Sequence, residues 1–144
     1  ALTVIAYDGH TLAADSQLNY GTTRLQCEKL FRLPDGGVVG FAGPSGKCHR
    51  LLRWMRGEGK RPLRLSNAHA IRVDPSGAVF LYAESSEPEC ITSRYVAIGC
   101  GDEFALGCMK SGKTAAEAVA MTIDHDSQCG GPVMTMQPSK QPPA

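Results

Sequence analysis

The sequence predicts an α+β domain in which antiparallel sheets carry helices on their outer faces. Three observations lead there. Turn-forming residues separate short apolar runs at Asp8-Gly9, at Pro34-Asp35-Gly36-Gly37 and at Asp74-Pro75-Ser76-Gly77, the pattern of β-hairpins. Residues 45–56 place Cys48, Leu51, Leu52 and Met55 at i, i+3, i+4 and i+7, the stripe of an amphipathic helix. Two further helical stretches, 102–111 and 115–126, follow the last hairpin. Hairpins interrupted by helices, rather than strict strand–helix alternation, favour antiparallel layers.

Taken in order, Leu2–Ala6 and Thr11–Ala14 flank Asp8-Gly9 and predict a hairpin with a two-residue turn. Residues 16–26 are polar and read as a loop or an irregular strand. Leu30–Leu33 and Val38–Ala42 form a second hairpin, and Gly43-Pro44-Ser45-Gly46 leads into the helix. Residues 57–67, with two glycines and a proline, read as a loop. A third hairpin pairs 69–74 with 78–83, an acidic loop covers 84–89, and Tyr95–Ile98 is a short strand. Asp102 and Glu103 suit the first turn of the next helix. Gly112 suits its end, and Thr114 with Glu117 forms a capping box for the helix after it. Pro132–Met136 is the last strand. One domain is expected over 1–136, followed by a proline-rich tail, 137–144, as a loosely held end.

Composition narrows the function. The chain has 144 residues, 42% hydrophobic and 20% charged, the profile of an ordinary globule with a real core. No apolar run nears the ~18 residues that span a bilayer, and no leader is expected, so no membrane partner is predicted. The net charge of +1 is unevenly spread: residues 47–64 alone carry seven basic and one acidic residue. One short basic helix without aromatic platforms reads as a solvated or subunit-facing surface, so no nucleic acid is expected. None of the six cysteines forms a C-x-x-C pair, which argues against a zinc knuckle. Reduced thiols in a cytoplasm, and no metal or cofactor, are expected. Gly107–Thr114 spells G-x-x-x-x-G-K-[ST], but such a loop needs a strand before it. Here a helix precedes it, so the match reads as a helix–turn–helix.

Five segments in the same order resemble the proteasome β subunit and the bacterial HslV-type peptidase. They are the opening Thr3-Val4-Ile5-Ala6 to Ala13-Ala14-Asp15, Glu28-Lys29-Leu30-Phe31-Arg32-Leu33, Val39-Gly40-Phe41-Ala42-Gly43, Ala97-Ile98-Gly99-Cys100-Gly101 and Asp126-Ser127-Gln128-Cys129-Gly130-Gly131. The resemblance spans residues 1–133. It implies a four-layer αββα sandwich, the fold of N-terminal-nucleophile hydrolases. The connection between the first helix and the third hairpin is short for the second helix usual in that family. It also implies a self-compartmentalised threonine peptidase, bacterial or phage-borne, built as a double ring of six or seven identical subunits per ring. The D-x-x-C-G-G motif favours seven. Substrates would be peptides or unfolded proteins, with the need for an ATPase unfoldase left open.

In that family the first residue is a threonine whose hydroxyl attacks the peptide bond and whose own α-amine takes the proton. A free α-amine has a reference pKa of about 7.7–8.0 and can act as a base near neutrality. The resemblance implies Lys29 as a buried cation beside the nucleophile, Asp15 as its counter-ion, the Gly43 N–H as oxyanion donor and Asp126 as the group orienting the amine. Cys100 and Cys129 stand where the family often has serines. Each has a plainer reading: Asp15 as a strand end, Lys29 as a solvent-facing side chain, Gly43 as a turn residue, the two cysteines as packing. A Cys100 nucleophile paired with His125 or His49 is a remote alternative. The departure is residue 1, Ala1, which has no hydroxyl. Ala1 stands in place of the threonine in an inactive form, or Thr3 is the nucleophile with two residues unprocessed, or the subunit is a naturally inert ring scaffold. Ala1 and Thr3 share a strand face, so parity does not choose between them. The two-residue turn expected at Asp8-Gly9 favours Ala1, and with it an inactive chain.

Overall fold

The computed structural model describes residues 3–139. Its elements are β1 Val4–Tyr7, β2 Leu12–Ala14, β3 Gln17–Tyr20, β4 Thr23–Gln26, β5 Leu30–Arg32, β6 Val38–Ala42, α1 Ser45–Met55, β7 Arg64–Val73, β8 Val79–Ser85, β9 Glu89–Ile91, β10 Val96–Gly99, α2 Asp102–Lys110, α3 Ala115–His125 and β11 Met134–Met136. All ladders are antiparallel. One sheet runs β10-β1-β2-β11 and a second runs β5-β6-β7-β8-β9.

Side chains alternate across each central strand, and both faces are covered. Ile5, Tyr7, Leu12 and Ala14 pack against Leu30, Val38, Ile71 and Val73 between the sheets. Val4, Ala6 and Ala13, on the opposite face of the first sheet, pack against Ala105, Met109, Ala118 and Val119 of α2 and α3. Val39, Phe41 and Ala70, on the opposite face of the second sheet, pack against Leu51 and Leu52 of α1. The result is four layers, α1, sheet, sheet, α2 with α3. Gly40 faces the first sheet across the core, with Ile5, Leu30 and Leu12 around it. A Cβ there would come 2.7 Å from Ile5 Cγ2 and 2.9 Å from Leu30 Cδ2, so a larger residue forces the core side chains around it to shift. As the short connection predicts, residues 56–63 hold no helix, and α1 alone covers its side.

Several expectations hold. The phosphate-loop look-alike is the end of α2, a left-handed Gly112 (φ +110°), and Thr114 capping α3 with Glu117 in a reciprocal box. Others change. The first turn spans four residues, 8–11, because Tyr7 pairs with Leu12. The Asp8 carboxylate organises it, accepting N–H bonds from His10 at 2.9 Å and Thr11 at 2.8 Å. Residues 17–26, expected as a loop or an irregular strand, form the β3–β4 hairpin, whose Leu18, Tyr20 and Leu25 are exposed. The third hairpin is longer than expected and carries a register shift between Arg64 and His69, with Asn67 at φ 64°. Of the expected tail, residues 140–144 lie outside the described residues; in the described part, Arg32 donates to the Gln137 carbonyl at 2.6 Å, and Ser139 N–H donates to the Gly36 carbonyl at 2.8 Å.

Candidate active site

Four strand ends converge at one edge of the sandwich. Thr3 precedes β1, Asp15 follows β2, Lys29 precedes β5 and Gly43 follows β6. The Lys29 ammonium donates to Thr3 Oγ1 at 2.9 Å and to Asp15 Oδ1 at 2.9 Å. All three side chains are buried, Asp15 completely. Asp15 is the hub. Its Oδ1 also accepts the Val4 N–H at 3.1 Å, and its Oδ2 accepts those of Gly130 at 3.2 Å and Gln17 at 3.4 Å. A buried carboxylate is tolerable because it is paired and fully hydrogen-bonded. The Gly130-Gly131 pair lets the chain after Cys129 lie against the β2–β3 connection, since a Cβ at Gly130 would overlap Gln17 and one at Gly131 would overlap Ser16.

Ala1 lies outside the described residues. The hydroxyl that meets the lysine belongs to Thr3. The expectation that favoured Ala1 depended on a two-residue turn; with four residues in the turn, its register argument no longer holds.

Gly43 has φ +135°, and a Cβ there would lie 2.3 Å from the Asn67 carbonyl oxygen, so glycine is required. It lines, with Thr3 and Lys29, a pocket of about 250 Å³ walled by Phe31, Phe41, Cys48 and Leu52. Burial pushes the Cys48 thiol up to about 11, so this wall stays uncharged at neutral pH. None of these four wall residues was singled out as a site residue from the sequence. Strand periodicity held a signal: Phe31 shares a face with Lys29, and Phe41 with Gly43.

Cys100, Asp126 and Cys129 form a second group beside the first. Cys100 Sγ lies 3.5 Å from the Thr3 carbonyl oxygen, 3.9 Å from Asp126 Oδ2 and 3.9 Å from Cys129 Sγ. Burial, then the charge of Asp15 and the neighbouring Cys100, push the Cys129 thiol well above its ordinary value. Among the described residues Cys100 has no hydrogen bond to a histidine: its partners are the Thr3 carbonyl, Asp126 and Cys129, while His125 stacks on Phe104 at 4.3 Å and His49 lines the pocket.

A cation held against a hydroxyl, beside a glycine turn and an apolar pocket, can stabilise an alkoxide and an oxyanion. No family model and no curated protein matches the sequence. Solved structures do. Thiobacillus denitrificans BPH superposes with a TM-score of 0.69 at 19% identity, over 95% of this chain and 98% of that one. Its complex with epoxomicin gives 0.67 at 17% identity, over the same shares. Eukaryotic HslV from Trypanosoma brucei gives 0.67 at 18% identity, over 93% of this chain and 97% of that one. At such identities the likeness concerns the fold: the chain has the αββα architecture of HslV- and proteasome-type subunits.

Proposed function

We propose that this chain is a subunit of a self-assembling threonine peptidase and that Thr3 is its nucleophile. The observation that carries this is the 2.9 Å contact between Thr3 Oγ1 and the Lys29 ammonium, which Asp15 holds in place. Whatever precedes Thr3 must first be removed. While the Leu2–Thr3 peptide bond is intact, the Thr3 nitrogen is an amide and cannot accept a proton. Once free, the amine takes the hydroxyl proton, directly or through a water, as Oγ1 adds to the scissile carbonyl. The oxyanion faces the Gly43 N–H; one such donor is worth about 10²–10³ in rate. The α-ammonium then gives its proton to the leaving amine, and water hydrolyses the ester. Cys100, whose Sγ lies 3.5 Å from the Thr3 carbonyl oxygen, and Asp126, 3.9 Å from that sulfur, would orient the amine. The pocket walled by Phe31, Phe41 and Leu52 fits an apolar side chain next to the scissile bond.

The exposed Leu18, Tyr20 and Leu25 of the β3–β4 hairpin support self-assembly, since an isolated two-stranded hairpin is marginal in water. The assembly would be a double ring of six or seven copies per ring, in a reducing cytoplasm.

The test compares a protein beginning at Thr3 with one beginning at Ala1. The first should cleave fluorogenic peptides with an apolar residue at the cleaved position and acquire an epoxomicin adduct visible by mass. The second should do neither unless it trims itself to Thr3, and Lys29→Ala should silence the first. Activity in an Ala1→Thr protein that retains both preceding positions, with a dead Thr3-initiated protein, would move the nucleophile to residue 1. Inactivity of both would leave a ring scaffold.

A further inference from the structure

The sequence offers no metal-binding spacing, yet the fold brings Cys100, Asp126 and Cys129 together so that one ligand atom from each lies within 4.8 Å of the other two. We propose that these three side chains are a binding site for a soft divalent cation, Zn²⁺ above all, at the shoulder of the nucleophile threonine.

Two of the three donor separations match tetrahedral zinc. With Zn–S bonds of about 2.3 Å, two thiolates on one zinc stand roughly 3.8 Å apart; a thiolate and a carboxylate oxygen stand roughly 3.6 Å apart. The observed separations are 3.9 Å for Cys100 Sγ to Cys129 Sγ and 3.9 Å for Cys100 Sγ to Asp126 Oδ2. Both lie within a few tenths of an ångström of those values, and all three ligand atoms lie within 4.8 Å of one another. The backbone holds the donors in place. Asp126 caps the end of α3, and its other oxygen accepts the Gln128 N–H at 2.9 Å. The Cys129 N–H bonds back to the Asp126 carbonyl at 3.1 Å. The site has an entrance, because Cys100 is exposed while Cys129 is buried behind it. Two thiolates and a carboxylate outweigh the cation by one negative charge. The two thiol protons leave to solvent as the cation enters, and a fourth position remains for water on the open side. Thiolate ligands select zinc over magnesium or calcium. The Thr3 carbonyl oxygen lies 3.5 Å from Cys100 Sγ, so a bound cation would sit against the residue that performs the proposed chemistry and block it.

The full chain is titrated with Co²⁺ under a phosphine reductant, and absorption is read. One cobalt per chain with sulfur-to-cobalt charge-transfer bands, displaced by Zn²⁺, is expected. Cys90→Ser, which removes an exposed thiol outside the group, should leave the titration unchanged. Asp126→Asn should weaken binding, and Cys100→Ser should weaken it at least ~10-fold, the lower end of losses seen even for groups one shell out. The Cys100 side chain is exposed, so that variant keeps the fold even where Cys129→Ser does not. Absence of charge-transfer bands in the parent protein, or bands undiminished in Cys100→Ser, would overturn the proposal. Absorption is independent of turnover, so a failed peptidase reading and a failed metal reading give different results.

Discussion

Replacing Asp15 by Asn tests the organisation of the site more sharply than any other single change. Asparagine keeps the shape but removes the negative charge that faces the buried Lys29 ammonium. It also turns one oxygen into an NH₂ group. That group must then face either the ammonium and the Val4 N–H, or the N–H groups of Gln17 and Gly130. Donors would meet donors in either orientation. Breaking a buried pair by removing one partner costs about 3–5 kcal/mol, a large share of a total stability of about 5–15 kcal/mol. For a chain of this length that lowers Tm by roughly 10–17 °C. Lys29→Met should cost less, because the three backbone N–H groups still serve the carboxylate. The double variant should be more stable than the sum of the two single losses, with a coupling of about 1–3 kcal/mol. Urea unfolding read by the fluorescence of Trp54, the sole tryptophan, measures all four proteins, at one protomer concentration because assembly stabilises. A loss under about 1 kcal/mol for Asp15→Asn, or strict additivity in the cycle, would refute the picture of Asp15 as the hub of the site.

Two other outcomes follow from the geometry. Gly43→Ala places a Cβ 2.3 Å from the Asn67 carbonyl at a φ of +135°; both are backbone constraints, so the β6–α1 connection must move. The Thr3-initiated protein carrying this change should lose epoxomicin labelling and at least ~100-fold of its turnover, read by mass and by fluorogenic cleavage. Asp8, buried between its turn and α3, also accepts the Ala115 N–H at 2.8 Å. Burial opposes its charge, but the N–H bonds from Ala115, Thr11 and His10 outweigh it and hold the carboxyl below the usual range. A lowered folded-state value means the contribution is present above the unfolded value of about 3.9 and is lost as pH falls through the folded one. Asp8→Ala should therefore cost about 2 kcal/mol at pH 7. The gap in urea midpoint between parent and variant should shrink steadily below about pH 4.

Local chemistry wrote much of this molecule into its residue order. The helix boundaries and the turns at 34–37 and 74–77 follow from apolar spacing, a capping box, and prolines and glycines whose backbone preferences act within a few residues. The five family-like segments likewise named Asp15, Lys29, Gly43, Cys100, Asp126 and Cys129 before any coordinates. Where the reading failed, the deciding contact came from far along the chain. Asp8-Gly9 looks like a tight two-residue turn, but the Asp8 carboxylate accepts the N–H groups of His10 and Thr11 and that of Ala115, 107 residues away, and the turn spans four residues. That widening governs register, and register decides which of two residues on one strand face meets the lysine. The β3–β4 hairpin left no alternating pattern because neither of its faces is pressed against the core. The pocket walls and the Cys100–Asp126–Cys129 group draw on separate elements. Their distances depend on how two sheets stack, which is set by the packing of side chains such as Ile5 and Leu30 around Gly40 and not by any neighbouring residue in the chain.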